Sequence, residues 1–193
     1  MVHEMELYYH NNHNTGRMRS LMVTLMRSCG QNVPTVIWGL PIDGEPVSGT
    51  DLERTSVQWQ EYCMQYIGFA PEEGAFKGSR LHVKAIISHI SRVHITPDTP
   101  HLTVCTDARA VALLLLGGTM CPDSSGNLVS LIYLAKLEDI VAARNYSWGS
   151  AVLAFLYREL CNASEKGKAA IGGALQLVQD LGLGHASFHF VPD

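Results

Sequence analysis

Histidine is the residue type that most readily suggests chemistry in this sequence, since nine are present and imidazole binds metals and moves protons. His10 and His13 have a chelating spacing, but they lie in a polar stretch that offers no Cys or acidic third ligand. His82 and His89 are seven residues apart on one predicted helix face, which is too far for a single ion. We therefore expect surface or core histidines and no bound metal.

The serines and lysines lack the neighbours that covalent catalysis needs. A serine hydrolase holds its nucleophile in a Gly-x-Ser-x-Gly elbow after a strand, and the segment around Ser147 and Ser150 has neither feature. A pyridoxal phosphate enzyme needs a Schiff-base lysine and a phosphate-binding loop. Lys136 and Lys84 are the best lysines available, and no such loop follows either. We expect no cofactor.

Carboxylates that could serve a two-metal nuclease are present, but each one fits a helix end instead. Asp107 precedes an apolar run, where a carboxylate complements the helix dipole, and Asp123 heads a Ser-Ser-Gly turn. Glu138 and Asp139 also suit a helix end. The residues therefore favour a protein without enzymatic activity.

Composition indicates a globular chain that is not targeted to a membrane. Hydrophobic residues make up 47% of the 193 and charged residues 17%, and the net charge is −4. That acidic balance argues against nucleic-acid binding, although Arg17, Arg19 and Arg27 leave it open. The most apolar run, residues 110–116, is shorter than a membrane span of about 20 residues. Five cysteines without a Cys-x-x-Cys pair predict reduced thiols in a cytosolic or nuclear protein.

Apolar spacing predicts one all-α domain that follows a poorly ordered tail, residues 1–20. A segment dense in Gly and Pro, residues 39–49, predicts a shaped turn with Leu40, Ile42 and Val47 facing inward. The rest predicts helices that begin with a capping box at Thr55. They cover residues 56–66, 81–93, 107–116, 128–140, 148–160 (capped by Ser147) and 171–181.

Four blocks of the sequence resemble the plant mobile domain family, in the expected order over residues 36–180. The first is the turn Gly-Leu-Pro-Ile-Asp-Gly-Glu-Pro-Val-Ser-Gly, and the last is Tyr-Ser-Trp-Gly-Ser-Ala-Val-Leu-Ala-Phe-Leu-Tyr-Arg-Glu-Leu-Cys. Between them lie Ala-Arg-Ala with Leu-Gly-Gly, and Pro-Asp-Ser-Ser-Gly-Asn. The positions that match the family are Gly39, Leu40, Pro41, Asp43, Gly44, Arg109, Gly117, Gly118, Pro122, Asp123, Tyr146, Ser147, Trp148, Gly149, Tyr157, Arg158 and Cys161. Residues 21–193 resemble a partial copy of that domain.

The resemblance implies a nuclear, non-catalytic interaction domain. Its family is associated with meristem maintenance, transposon silencing and genome stability, and an "aminotransferase-like" label implies no shown chemistry. The implied partners are nuclear proteins, among them phosphatase-like relatives, with no membrane association. The alternative is a transposable-element-derived domain or decayed gene fragment that assists a transposase. Trp148, Tyr157 and Arg158 are of types common at interfaces, although Trp148 fits core packing better.

Overall fold

The computed structural model describes residues 39–48, 54–163 and 172–174. The predicted tail, residues 1–20, lies outside the described residues, as does most of the predicted last helix. Residues 172–174 within that last helix form a bend, with Gly173 at φ +93°, so the helix prediction is wrong there.

The described chain combines five α-helices with a three-stranded antiparallel sheet, so the all-α prediction is wrong. A strand of two or three residues is too short to show an alternating pattern, which is why sequence periodicity missed the sheet. The helices are α1 Ser56–Ile67, α2 Val83–Ile90, α3 His101–Leu115, α4 Ile132–Lys136 and α5 Trp148–Ala163. The strands are β1 Phe76–Lys77, β2 Arg80–His82 and β3 Leu128–Ser130, in the order β1-β2-β3.

Helix α1 begins and ends where the sequence predicts. The Gln58 amide donates to Thr55 Oγ1 at 3.3 Å and the Thr55 amide donates to Gln58 Oε1 at 2.9 Å, which completes the capping box. Gly68, at φ +76°, ends the helix in the left-handed conformation that glycine adopts without strain. The inner face buries Cys63 and Ile67 completely.

The sheet has one face in the core and one face turned away from it. The register pairs Leu81 with Val129, and both are fully buried in the core that α1, α2 and α3 share. Side chains alternate along a strand, so the neighbouring pair, Arg80 and Ser130, lies on the opposite face. The two predicted helices that began at residues 81 and 128 therefore each begin with a strand.

Helix α3 begins six residues earlier than predicted, at His101, because polar residues in its first turns hide the apolar period. At its other end the helix does not stop at Gly117 and Gly118 but continues as a π-helical turn, Leu116–Met120, closed by a 2.7 Å bond from the Cys121 amide to the Leu116 carbonyl. Glycine is required at 117, because a Cβ there would lie 2.3 Å from Val129 Cγ1. The turn therefore packs directly against β3.

Together α3 and the π turn form the stretch His101–Met120, the one helix among the described residues that is long and apolar enough to cross a membrane. Its mean hydropathy is 1.4, and that finding rests on length and composition alone. Core helices of globular proteins have the same properties, and this helix buries Ala110 and Leu113 completely against its neighbours. The expectation that the chain does not associate with membranes stays a prediction.

We predict that Gly117→Ala destabilises the chain because the new methyl group overlaps Val129. Overpacking of this kind costs about 1–3 kcal/mol, which urea unfolding would measure as a lower midpoint at unchanged slope. Gly118→Ala is the matched control, because the nearest atom to a Cβ there is Leu114 Cδ1 at an ordinary 3.5 Å. Equal unfolding free energies for the two variants would contradict the packing of the turn on β3.

Candidate functional site

The family-motif residues at the two ends of the described chain meet at the beginning of α5. The Gly149 amide, in the first turn of the helix, donates to the Pro41 carbonyl at 2.8 Å. Two further bonds of 2.8 Å join the Glu45 amide to the Asn145 carbonyl and the Ser147 amide to the Glu45 carbonyl. Carbonyl groups of the 39–48 turn segment thus satisfy amides that a helix start would otherwise leave without partners.

The turn segment approaches so closely because residue 44 is a glycine. A Cβ at Gly44 would lie 2.2 Å from the Asn145 carbonyl oxygen, and the backbone there has φ +122°. Leu40 and Val47, on either side, pack against the main core, as predicted, and Ile42 is half-buried. The Gly-Leu-Pro-Ile-Asp-Gly motif is therefore a docking element for α5.

The serines of this region bond to the same segment. The Ser147 hydroxyl donates to the Glu45 carbonyl at 3.1 Å, so it bridges the two segments where the sequence predicts a helix cap. The Ser150 hydroxyl donates to the Ile42 carbonyl at 2.9 Å. Both hydroxyls stabilise the docking of the turn segment.

The aromatic residues that flank Ser147 have structural roles. Trp148 is 8% exposed, and its indole Nε1 donates to the Ala143 carbonyl at 2.7 Å, which confirms the core-packing interpretation. Tyr146 packs edge-on against Trp148, with ring centroids 6.0 Å apart. Arg109, on α3, donates from Nε to the Leu137 carbonyl at 2.9 Å and so ties that helix to the end of α4.

The remaining motif residues fall in two other places. Gly117 and Gly118 lie in the π turn, and Pro122 and Asp123 follow it. The Pro122 carbonyl accepts a 2.8 Å bond from the Gly173 amide.

On α5, the prediction of one broad apolar face agrees with the burial of Val152, Leu156 and Leu160 at helical spacing. Asp43, Tyr157 and Cys161 are half-buried or exposed on the turn and on this helix.

Histidine and carboxylate side chains are dispersed, apart from one pair. His89 lies on α2, with its Nε2 3.5 Å from Asp107 Oδ1, and its ring stacks on Phe69. Asp107 is buried in the middle of α3, so the prediction that it begins a helix is wrong, and His82 is in β2, not on the face of His89. Among residues 39–48, 54–163 and 172–174, no three possible metal ligands come together.

The other two carboxylates proposed above support local structure. Glu138 accepts a short hydrogen bond from the Tyr62 hydroxyl, and burial together with that bond raises the pKa of Tyr62. The Arg54 guanidinium lies 3.9 Å from the centre of the same Tyr62 ring. Asp139 Oδ1 accepts from the Val141 and Ala142 amides at 2.8 and 3.0 Å, and these two bonds lower its pKa.

A cleft of about 720 Å³ lies between the outward face of the sheet, α4 and α5, and the sequence did not predict it. Six segments line it, so no local motif could reveal it. Its charged and hydroxyl-bearing residues include Arg80, Asp123, Ser130, Tyr133, Lys136, Arg158 and Glu159, and its apolar wall includes Val47, Ile132, Ala151, Ala154 and Phe155. The volume is that of a site for one small molecule.

The arginines of the cleft have only loose ionic partners. Arg80 Nη1 is 3.8 Å from Asp123 Oδ2 and Arg158 Nε is 3.9 Å from Glu159 Oε1, both longer than a hydrogen bond. Both arginines are more than half exposed, at 54% and 65%. Exposed pairs of this length contribute little to stability, so the guanidinium groups are available to a ligand.

The cleft also contains a thiol and a phenol that are held in their neutral forms. Burial raises the pKa of Cys121 to about 11, and its hydrogen bond with Tyr133 and the charge of Arg158 only partly offset this effect. Burial, followed by the proximity of Cys121, raises the pKa of Tyr133. A thiol that stays protonated at neutral pH is a poor nucleophile. Cys121 and Tyr133 therefore add no negative charge to the cleft at neutral pH.

Comparison with known proteins identifies the class of this domain. Residues 31–180 match the plant mobile domain family. The chain belongs to that family. No solved structure matches it.

Its relatives come from Arabidopsis thaliana and are much longer proteins. It is 35% identical over 144 residues to Protein MAIN-LIKE 2 and 33% identical over 144 residues to Serine/threonine-protein phosphatase 7 long form homolog, which covers 75% of this chain in each case. It is 31% identical over 156 residues, 78% of this chain, to Protein MAINTENANCE OF MERISTEMS. The chain spans 21%, 10% and 32% of the lengths of these three relatives.

We predict that Gly44→Ala weakens the fold substantially, because it adds a Cβ against the Asn145 carbonyl and imposes a left-handed backbone on alanine. Together the two effects cost about 2–4 kcal/mol. Gly78→Ala isolates the backbone term, since Gly78 has φ +62° with nothing within 4 Å of a Cβ. Chemical unfolding of both variants measures the difference. The docking of the turn on α5 is disproved if Gly44→Ala is no more destabilising than Gly78→Ala.

We predict that the buried cysteines resist alkylation in the native chain. Burial raises the pKa of Cys63 to about 12, so at pH 8 this thiol and that of Cys121 are both protonated and shielded. Cys105 and Cys161, which are both half-buried, should react with iodoacetamide before Cys63 and Cys121. Peptide mass mapping over time gives the order. Equal alkylation rates for the buried and the half-buried cysteines in the native chain would show that the core opens readily.

Proposed function

We propose that this domain is a non-catalytic nuclear interaction module that acts in meristem maintenance, transposon silencing and genome stability. Membership of the plant mobile domain family supports this proposal, as does the name of one relative, Protein MAINTENANCE OF MERISTEMS. The reactive side chains described above point the same way, because the Ser147 and Ser150 hydroxyls bond to backbone carbonyls and burial keeps the Cys121 thiol protonated.

The observation that carries the proposal is an apolar face on the outside of α1. Val57 and Met64 are 61% and 58% exposed, and their spacing of seven residues places them on one side of the helix. With Ala70 they border a shallow, mostly apolar depression of about 410 Å³. Large apolar side chains grouped on a surface are typical of protein–protein contacts. Gln60, Glu61 and Gln65 supply the polar and charged groups that line it.

The partner we propose is a phosphatase-like relative of the same family. One matched protein carries the name Serine/threonine-protein phosphatase 7 long form homolog and shares 33% identity with this chain. Family members that share this domain offer related surfaces, and an apolar face on one suits an apolar face on another. This contact would place α1 at the centre of the interface.

We predict that the double substitution V57E/M64E weakens binding to that phosphatase homolog by about 100-fold, because burying two unpaired carboxylates is costly. Calorimetric titration of the purified proteins measures the effect. Leu102→Glu is the control, since Leu102 is 73% exposed on another helix. Loss of binding in both variants, or no binding by the unmodified chain, would refute this interface.

Two accompanying measurements distinguish the proposal from its alternative. A fluorescent fusion in plant cells should concentrate in the nucleus, and a cytosolic signal would contradict the proposed location. The unmodified chain should melt in one cooperative transition, as small domains do. A gradual melt with aggregation would instead favour the transposon-derived or decayed gene fragment.

A further inference from the structure

We propose that the cleft between the sheet and α5 binds a small organic phosphate, in which a phosphate monoester is attached to an aromatic or aliphatic group. This ligand site is separate from the apolar face on α1 and does not depend on it. Charge, convergence, wall chemistry and size each support the proposal.

The charges of the cleft favour an anion. Three cationic side chains come from three different elements, Arg80 from β2, Lys136 from α4 and Arg158 from α5. They face two carboxylates, so the lining is positive on balance. Asp123 keeps its charge but also accepts from the Ser125 hydroxyl, which lies 2.9 Å from each of its two oxygens. Arginine and lysine around one cavity are the usual ligands of phosphate.

The walls of the cleft that carry Arg80 and Arg158 approach closely at Gly172. A Cβ at that position would lie 2.8 Å from Glu159 Oε2 and 2.8 Å from the Pro122 carbonyl oxygen. The Glu159 carboxylate, which is next to Arg158, is therefore close to the loop that contains Asp123. Asp123 is in turn the ionic partner of Arg80. The two guanidinium groups consequently border the same space.

The opposite wall suits the organic part of the ligand. Val47, Ala151, Ala154 and Phe155 form an apolar surface, and the Arg158 guanidinium lies 4.9 Å from the centre of the Phe155 ring. A flat or short apolar group can pack there while its phosphate reaches the cations. Because six segments line the space, a compact molecule can contact several of them at once, as an extended peptide cannot.

The hydroxyl groups of the lining complete the match. Ser130 stands beside Arg80 in the sheet register, and Ser124 follows Asp123 in the neighbouring loop. Hydroxyls donate to the phosphate oxygens that the cations leave uncovered. The half-buried Tyr133 and the buried Cys121 also line the cleft and remain neutral, so they add no negative charge that would repel the ligand.

The test is calorimetric titration of the full chain with phenyl phosphate as the probe. Three comparison compounds are used. Inorganic phosphate lacks the apolar group, phenol lacks the phosphate, and benzylamine carries a positive charge in place of the negative one. We expect phenyl phosphate to bind more tightly than inorganic phosphate, phenol and benzylamine not to bind, and the affinity to fall as salt rises. V57E/M64E should bind phenyl phosphate as the unmodified chain does.

Substitutions locate the site. Arg158→Gln and Lys136→Gln should each weaken phenyl phosphate binding by about tenfold or more, as loss of a charge-assisted hydrogen bond does. Arg92→Gln is the control, because Arg92 bonds to Ser88 on α2, away from the cleft. Ala154→Phe fills the cleft without a change of charge and should abolish binding. Ala154 is exposed, so this variant should remain folded.

Four outcomes would overturn the proposal. The first is no heat of binding with phenyl phosphate at millimolar concentration. The second is equal binding of benzylamine, which would make the carboxylates the recognising groups. The third is binding of a phosphoserine peptide but not of phenyl phosphate, which would make the cleft a peptide site. Unchanged affinity in a folded Ala154→Phe variant would likewise exclude this cleft as the location.

Discussion

The position of α5 depends on the contact between the Gly44 backbone and the Asn145 carbonyl. No side chain longer than hydrogen fits there, and the surrounding bonds run between backbone groups of the 39–48 segment and the first turn of the helix. The first amides of a helix have no partners within the helix. A turn that presents carbonyl groups to these amides supplies the missing hydrogen bonds and fixes the direction of the helix. Leu40 and Val47, in the same turn, pack against the main core. The helix is thereby held at its beginning by a segment that is itself packed on the core.

Because α5 is held in this position, the two faces of the sheet are covered to different extents. One face, with Leu81 and Val129, is fully buried, and the approach of α3 on that side requires glycine at position 117. The other face is covered only partly, because α5 packs through Val152, Leu156 and Leu160 and leaves Ala154 and Arg158 beside open space. The cleft is thus a product of the same docking that the family motif encodes. The motif thus determines where α5 lies relative to the sheet.

Local signals in the sequence predicted the parts of the fold that local chemistry determines. The capping box at Thr55, the extent of α1 to within one residue and the inward-facing Leu40 and Val47 were predicted because each has a signal in the local sequence. The sheet was missed, since strands as short as Arg80–His82 and Leu128–Ser130 show no alternation and their leucines extend helical runs. The cleft could not be predicted either, because its cations are brought together only by tertiary packing. Asp107 was misplaced for a related reason, as polar residues before it concealed the true start of α3.

The bonds that join the turn segment to α5 also impose an order on folding. They connect residues 102 and 108 positions apart in the chain, so the turn cannot reach its final partners until the last described helix exists. At translation rates of about 5–20 residues per second, the segment waits on the order of ten seconds on the ribosome. Closing so long a loop is entropically slow compared with forming α1 or α3. The Gly-Leu-Pro-Ile-Asp-Gly motif is accordingly among the last parts of the described chain to become ordered during synthesis.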